Sequence, residues 1–170
     1  MKGKCIVVAL CLCVAASCGY RFAGTGDAID QSIQTVYVAS FINDTSEALV
    51  ENYVRNAFIE EFRRSGRFSI AGSAEAADAQ VSGTVLQVRT SRATYTSADS
   101  AVEDRVHMRL DVTFEERGGN VLWSQRTLEG NEAYRVGDDT SFTERNRSEA
   151  LRKLASDLAA RGFRSMMTGF

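Results

Sequence analysis

From residue 106 to residue 115, apolar and polar side chains alternate without interruption. Val106, Met108, Leu110, Val112 and Phe114 make one set, and His107, Arg109, Asp111, Thr113 and Glu115 the other. A strand turns successive side chains to opposite faces, so this pattern predicts a strand with one face on a core and one in water. Gly118-Gly119-Asn120 supplies a hairpin turn, and Val121 to about Tyr134 returns as the partner. Upstream, Ala79 to Thr96 reads as a long strand with a weak point at Gly83, followed by the polar loop Ser97-Ala98-Asp99-Ser100. Thr35 to Phe41 is β-branched and aromatic, the make-up of a strand covered on both faces. Phe68-Ser69-Ile70 has the length of one more short strand.

Two segments switch to helical spacing. Val50, Tyr53, Val54, Ala57, Phe58 and Phe62 form one apolar stripe, and Leu151, Leu154, Ala155, Leu158, Ala159 and Met166 form another. Asp44 with Glu47, and Ser141 with Glu144, have the spacing of capping boxes. Gly66 stands where a left-handed residue ends the first helix. Arg63, Arg64 and Arg67 near that end complement the helix macrodipole, with a binding site as the alternative reading. The resulting fold class is α+β: a two-layer sandwich, order β-α-β-β-β-α, with both helices on one face of a mixed four-stranded sheet and room for a short fifth strand. It is a single domain over residues 35–170.

The first residues have a different character. Met1 to Lys4 is a short basic stretch, and the twelve-residue apolar run Cys5 to Ala16 falls short of the ~20 residues of a spanning helix. Residues 1–17 therefore read as a signal peptide. Ala15-Ala16-Ser17-Cys18 resembles a bacterial lipobox, although the family's preferred Leu three before the Cys is Ala15 here. On that reading Cys18 becomes the mature N-terminus, carrying an N-acyl chain and an S-diacylglycerol. The alternative is an ordinary secretory cleavage that leaves Cys18 a free thiol; no second Cys follows for it to pair with. Residues 18–34 have no clear period and read as a lipidated tether. By resemblance to lipoprotein sorting, Gly19 after the Cys favours the outer membrane of a Gram-negative bacterium. Cleavage would remove Lys2 and Lys4, taking the net charge from −2 to −4, so the acyl chains and not the body would hold the membrane.

Chemistry is sparse. His107 is the only His, and all four Cys lie in the first 18 residues, so zinc-ligand spacing and Cys–His pairs are absent. Glu60-Glu61, Glu115-Glu116 and Asp138-Asp139 are adjacent pairs whose side chains diverge on a helix or strand. No enzyme, metal or dissociable cofactor is expected, and near-neutral charge argues against nucleic acid. The cationic residues after Cys18 are seventeen Arg and one Lys, Lys153. Guanidinium is a rigid fork suited to phosphate, while an Arg-rich codon bias is the alternative explanation. Arg89, Arg92 and Arg105 flank one loop; Arg135, Arg145 and Arg147 flank another. If both loops lie at one end of the sheet, Arg89, Arg92, Arg105 and Arg135 are candidates for binding a polyanion.

Several short motifs, in order, resemble the lipopolysaccharide-assembly lipoprotein family LptE. They are Cys18-Gly19-Tyr20-Arg21-Phe22, Phe41-x-Asn43-x-Thr45, Ala77-Asp78, Val81-x-Gly83, Val121-Leu122-Trp123, Tyr134, and Glu149-Ala150 with Leu154 and Asp157-Leu158-Ala159. The resemblance covers essentially the whole chain after the signal. It implies a membrane-anchored, non-catalytic protein that scaffolds and plugs an LptD-type outer-membrane β-barrel and assists lipopolysaccharide transport, binding lipopolysaccharide through basic loops. The corresponding loop here, Tyr95 to Val102, has Asp99 and no basic residue, so those residues do not carry over one by one. Another small envelope lipoprotein, such as a secretin pilotin or a barrel-assembly accessory, is the alternative.

Overall fold

The computed structural model describes residues 29–92 and 103–169. The signal, Cys18, most of the tether and the loop from 93 to 102 lie outside the described residues. The elements are β1 (Thr35–Val38), β2 (Ile42–Asn43), α1 (Val50–Arg64), β3 (Ser69–Ile70), β4 (Ala79–Arg92), β5 (Glu103–Glu116), β6 (Val121–Arg135) and α2 (Thr140–Thr168). They form an α+β sandwich with a mixed sheet in the order β3-β1-β4-β5-β6, and β2 pairs with β4 beyond the end of β1. The described sheet has six strands, against the expected four or five; the addition is β2.

One continuous core lies between the sheet and both helices. The predicted strand pattern holds: Val106, Met108, Leu110, Val112 and Phe114 are all buried. Both helical stripes hold as well, with Val50, Val54, Phe58 and Phe62 meeting Leu151, Leu154, Leu158 and Met166 in one cluster. Phe62 anchors its aromatic centre, with ring centroids 5.4 Å from Phe68, 5.9 Å from Phe114 and 5.0 Å from Phe163. Ile29 and Ile33, in the segment read as tether, are drawn into this core. Gly66, at φ +67°, occupies the left-handed position after α1.

The predicted strand over 35–41 is interrupted and covered on one face only. Val36 and Val38 are buried while Thr35 and Tyr37 are half-exposed. After β1 the chain leaves the ladder so that the Phe41 ring can drop into the core, where it stacks on Phe58 at 5.6 Å. The absent side chain of Gly83 makes that space: a Cβ there would lie 2.7 Å from the Phe41 ring.

Neither capping box forms. α1 starts at Val50, with Leu49 at φ +65° and no side-chain cap. The turn before it is built by Asn43, whose Nδ2 donates to the Glu47 carbonyl (2.7 Å) and to Glu51 Oε2 (2.9 Å). Its Oδ1 accepts from the Thr45 amide and hydroxyl. Glu47, freed from capping, pairs with Arg147 of α2. In α2 the cap is Asp139, which accepts from the Ser141 amide at 2.9 Å, two residues before the expected Ser141.

Asp78 ties the starts of β1 and β4 together. Its Oδ2 accepts from the Gln34 and Thr35 amides and from Thr35 Oγ1 (2.7 Å), while its own amide donates to Thr35 Oγ1 (2.9 Å). Hydrogen bonds from the Thr35 side chain and backbone, and then from Gln34, hold its carboxyl below the usual carboxylate range. A depressed folded-state pKa contributes stability that is present above the unfolded value and lost as pH falls through the folded one. Asp78→Asn is therefore expected to lower Tm at pH 7, with the deficit shrinking as both proteins are melted at successively lower pH through the acid range. A deficit that stays constant down to pH 2 would show that the ionised carboxylate is not what holds these strands.

Candidate anion-binding site

The buried side chains of β5 fix which face of the sheet meets water. Since Val106 and Met108 point to the helices, Arg105, His107 and Arg109 point outward. Residues paired across an antiparallel ladder share a face. Arg89 is opposite His107 and Ser91 is opposite Arg105, so all four lie together on the outer face. Arg135 is opposite Glu103 on that face, at the same end of the sheet. Among the described residues no helix packs there.

A β-bulge produces this arrangement. Val85 pairs with Leu110 and Gln87 with Arg109, leaving Leu86 as an extra residue in β4. Up to Val85 the odd-numbered residues face the core; beyond Leu86 the even-numbered ones do, so Val88 packs inward and Arg89 outward. Arg92 is placed opposite Asp104, whose partner in β6 is the buried Tyr134. The four sequence candidates therefore share one end of the sheet. Arg89, Arg105 and Arg135 share its outer face, while Arg92 is on the helix side.

The other cations near this end divide in two. Arg147 is bound to Glu47, with its Nη1 2.9 Å from Oε1, and serves to hold the α1 entry turn against α2. Arg145 is exposed on the first turns of α2. At the far end of α1, Arg67 donates to the Ile29 carbonyl (2.7 Å) and lies 4.8 Å over the Phe68 ring, and Arg64 pairs with Glu61. These contacts give Arg64 and Arg67 structural partners at this end of α1.

The basic end has two further members outside the four sequence candidates, His107 and Ser91. Ser91 Oγ is 2.9 Å from His107 Nε2. Partial burial, and then the charges of Arg89 and Arg105, push the imidazole below its usual value, with Glu129 opposing. The signal in the sequence was the strand alternation itself, which sets His107 between Arg105 and Arg109 on one face.

Elsewhere, Glu75, Glu115 and Glu116 line an open crevice of about 280 Å³ at the hairpin end. Gln80 Nε2 donates to Glu115, and Asn120 Nδ2 to Glu116. Among the described residues no cluster of His, Cys, Asp and Glu could hold a metal ion, and no helix is long and apolar enough to cross a membrane.

The family model described as LptE, lipopolysaccharide-assembly, matches residues 33–166. No curated protein matches. Among solved structures, a minor lipoprotein of Acinetobacter baumannii is similar, at 14% identity and TM-score 0.52 over 81% of this chain and 95% of that one. A lipoprotein of Caulobacter crescentus gives 14% identity and TM-score 0.54 over 76% and 89%. Lipoprotein B of Nitrosomonas europaea gives 13% identity and TM-score 0.50 over 89% and 92%. At these identities the likeness is one of fold.

Proposed function

Because the chain belongs to the lipopolysaccharide-assembly family LptE, we propose that it is an outer-membrane lipoprotein that seats in the lumen of an LptD-type β-barrel. There it scaffolds the barrel and assists lipopolysaccharide transport, as a binding protein without catalysis. The observation that carries the reading is the division of the molecule into two faces. All the large buried side chains lie between sheet and helices, while Gln80, Ser82, Thr84, Asp111, Thr113 and Glu115 make the outer face polar. Barrel lumens are polar, so a rigid body with one broad polar face suits that environment. Arg89, Arg105 and Arg135 on that face are the proposed contacts for lipopolysaccharide phosphates; Arg92 is a proposed contact from the helix side. Guanidinium forks fit such oxygens bidentately.

The test is a mild-detergent pull-down of the tagged full chain, with mass spectrometry of its partners. A one-to-one complex with an LptD-type barrel is expected. Recovery of a secretin or a barrel-insertion machine instead would overturn the barrel assignment. Anchoring is tested separately: Cys18→Ser is expected to move the protein out of the outer-membrane fraction or leave its signal uncleaved. Unchanged membrane fractionation of that variant would refute lipidation at Cys18.

A further inference from the structure

We propose that the outer face of β4 and β5 carries a seat for a tetrahedral phosphate-class anion, formed by Arg89, Arg105 and His107 with the Ser91 hydroxyl, and that anion occupancy is linked to a proton on the imidazole. The inference rests on the lipopolysaccharide reading for the source of the phosphate and on geometry for the seat.

The four side chains form the corners of one patch. Arg89 faces His107 across the ladder, Ser91 faces Arg105, and Ser91 Oγ bridges diagonally to His107 Nε2 at 2.9 Å. Cross-strand neighbours stand about 5 Å apart, and same-face neighbours along a strand about 7 Å. That span lets both guanidiniums and the imidazole reach the oxygens of a single phosphate. Among the described residues neither Arg89 nor Arg105 has an ion-pair partner, and the two cations stand at diagonal corners of the patch with Ser91 and His107 between them. A bound anion neutralises both.

His107 adds what the two arginines lack, a charge that can be switched. The charged groups facing it are Arg89 from β4, Arg105 and Arg109 from β5, and Glu129 from β6; Gln87 and Asn131 are its neutral neighbours. Partial burial first, and then the charges of Arg89 and Arg105 against Glu129, disfavour the protonated imidazole in the empty seat. A dianion placed among them reverses the local field and draws a proton on, so the anion binds more tightly as pH falls. The proton comes from solvent and forms the second imidazole N–H bond; no other covalent bond changes.

The chain's single His makes the test direct, because its imidazole signals in an NMR spectrum of the full-length protein in detergent have one source. A purification tag without histidine preserves that. Saturating sulfate, a tetrahedral dianion that does not itself titrate between pH 5 and 8, is expected to raise the midpoint of the His107 Cε1–H titration by about one unit. By linkage its affinity then rises up to about tenfold from pH 8 to pH 5. His107→Gln should bind sulfate weakly and with the same affinity at both pH values, whereas Arg89→Gln with Arg105→Gln should lose at least about tenfold at both.

A His107 midpoint that no anion moves, or His107→Gln with the wild-type pH dependence, overturns the seat. Lipid A and dephosphorylated lipid A then separate the sources. A shift with phosphorylated lipid A alone supports the lipopolysaccharide source. A shift with sulfate and not with lipid A keeps the seat and removes lipopolysaccharide as its ligand. Lipid A binding with no shift keeps lipopolysaccharide binding and removes the seat.

Discussion

Leu110→Asp is expected to abolish the folded state. Leu110 is wholly buried at the centre of β5, between Val85 and Leu128 on the neighbouring strands. The variant loses the burial of a leucine side chain, about 1.5–3 kcal/mol. It also places a carboxyl in the core, where an unpaired charge costs several kcal/mol more, or must take up a proton to stay. The sum is comparable with the ~5–15 kcal/mol that holds a typical domain together. Thr113→Asp is the matched control, because Thr113 lies between Ser82 and Ser124 on the outer face, with no charge directly opposite. It is expected to change stability by less than about 1 kcal/mol. A slip of one residue in register would exchange these outcomes. Far-UV circular dichroism with thermal melts decides it: an unchanged melt for Leu110→Asp would overturn the register on which the placing of Arg105 and His107 depends.

That register was legible because β5 repeats a strict period of two over ten residues, and a long signal of that kind survives local irregularities. The β4 register was not legible. Leu86 is an apolar residue beside Val85, and nothing in a one-dimensional pattern says which of two adjacent apolar residues leaves the ladder. The bulge decides the site: without it Arg92 would face outward and Arg89 would lie on the helix side. The closeness of the arginines in space followed from the hairpin order of the strands, whereas their division between two faces followed from one inserted residue. The helix starts failed for a related reason. Asp44 and Glu47 have the spacing of a capping box, but the chain leaving β2 must first turn, and Asn43 uses the same short segment to build that turn. Glu47 is thereby released to reach Arg147, one hundred residues further on, a pairing that local spacing cannot contain.

Gly83→Ala is expected to cost about 1–3 kcal/mol or more, through overpacking of a filled site. A Cβ at this position would lie 2.3 Å from the Asp111 carbonyl oxygen and 2.7 Å from the Phe41 ring. The first neighbour is backbone of the adjoining strand and cannot yield without disturbing the ladder. The second is a buried ring held by stacking on Phe58. Phe41→Ala alone should cost about 3–5 kcal/mol, since it empties a site the surrounding strands cannot collapse to fill. The double variant separates the two contacts. Removing the ring relieves one clash and leaves the other, so the double loss should fall short of the sum of the single losses by about 0.5–3 kcal/mol. Urea denaturation of the four proteins measures that coupling. Strict additivity would mean that Phe41 does not rest on Gly83, and would remove the reason for β1 and β2 being two strands instead of one. A measured coupling would give Phe41-x-Asn43-x-Thr45 and Val81-x-Gly83 one physical meaning: an aromatic ring, the hole that receives it, and the turn that lets the chain leave the sheet to place it there.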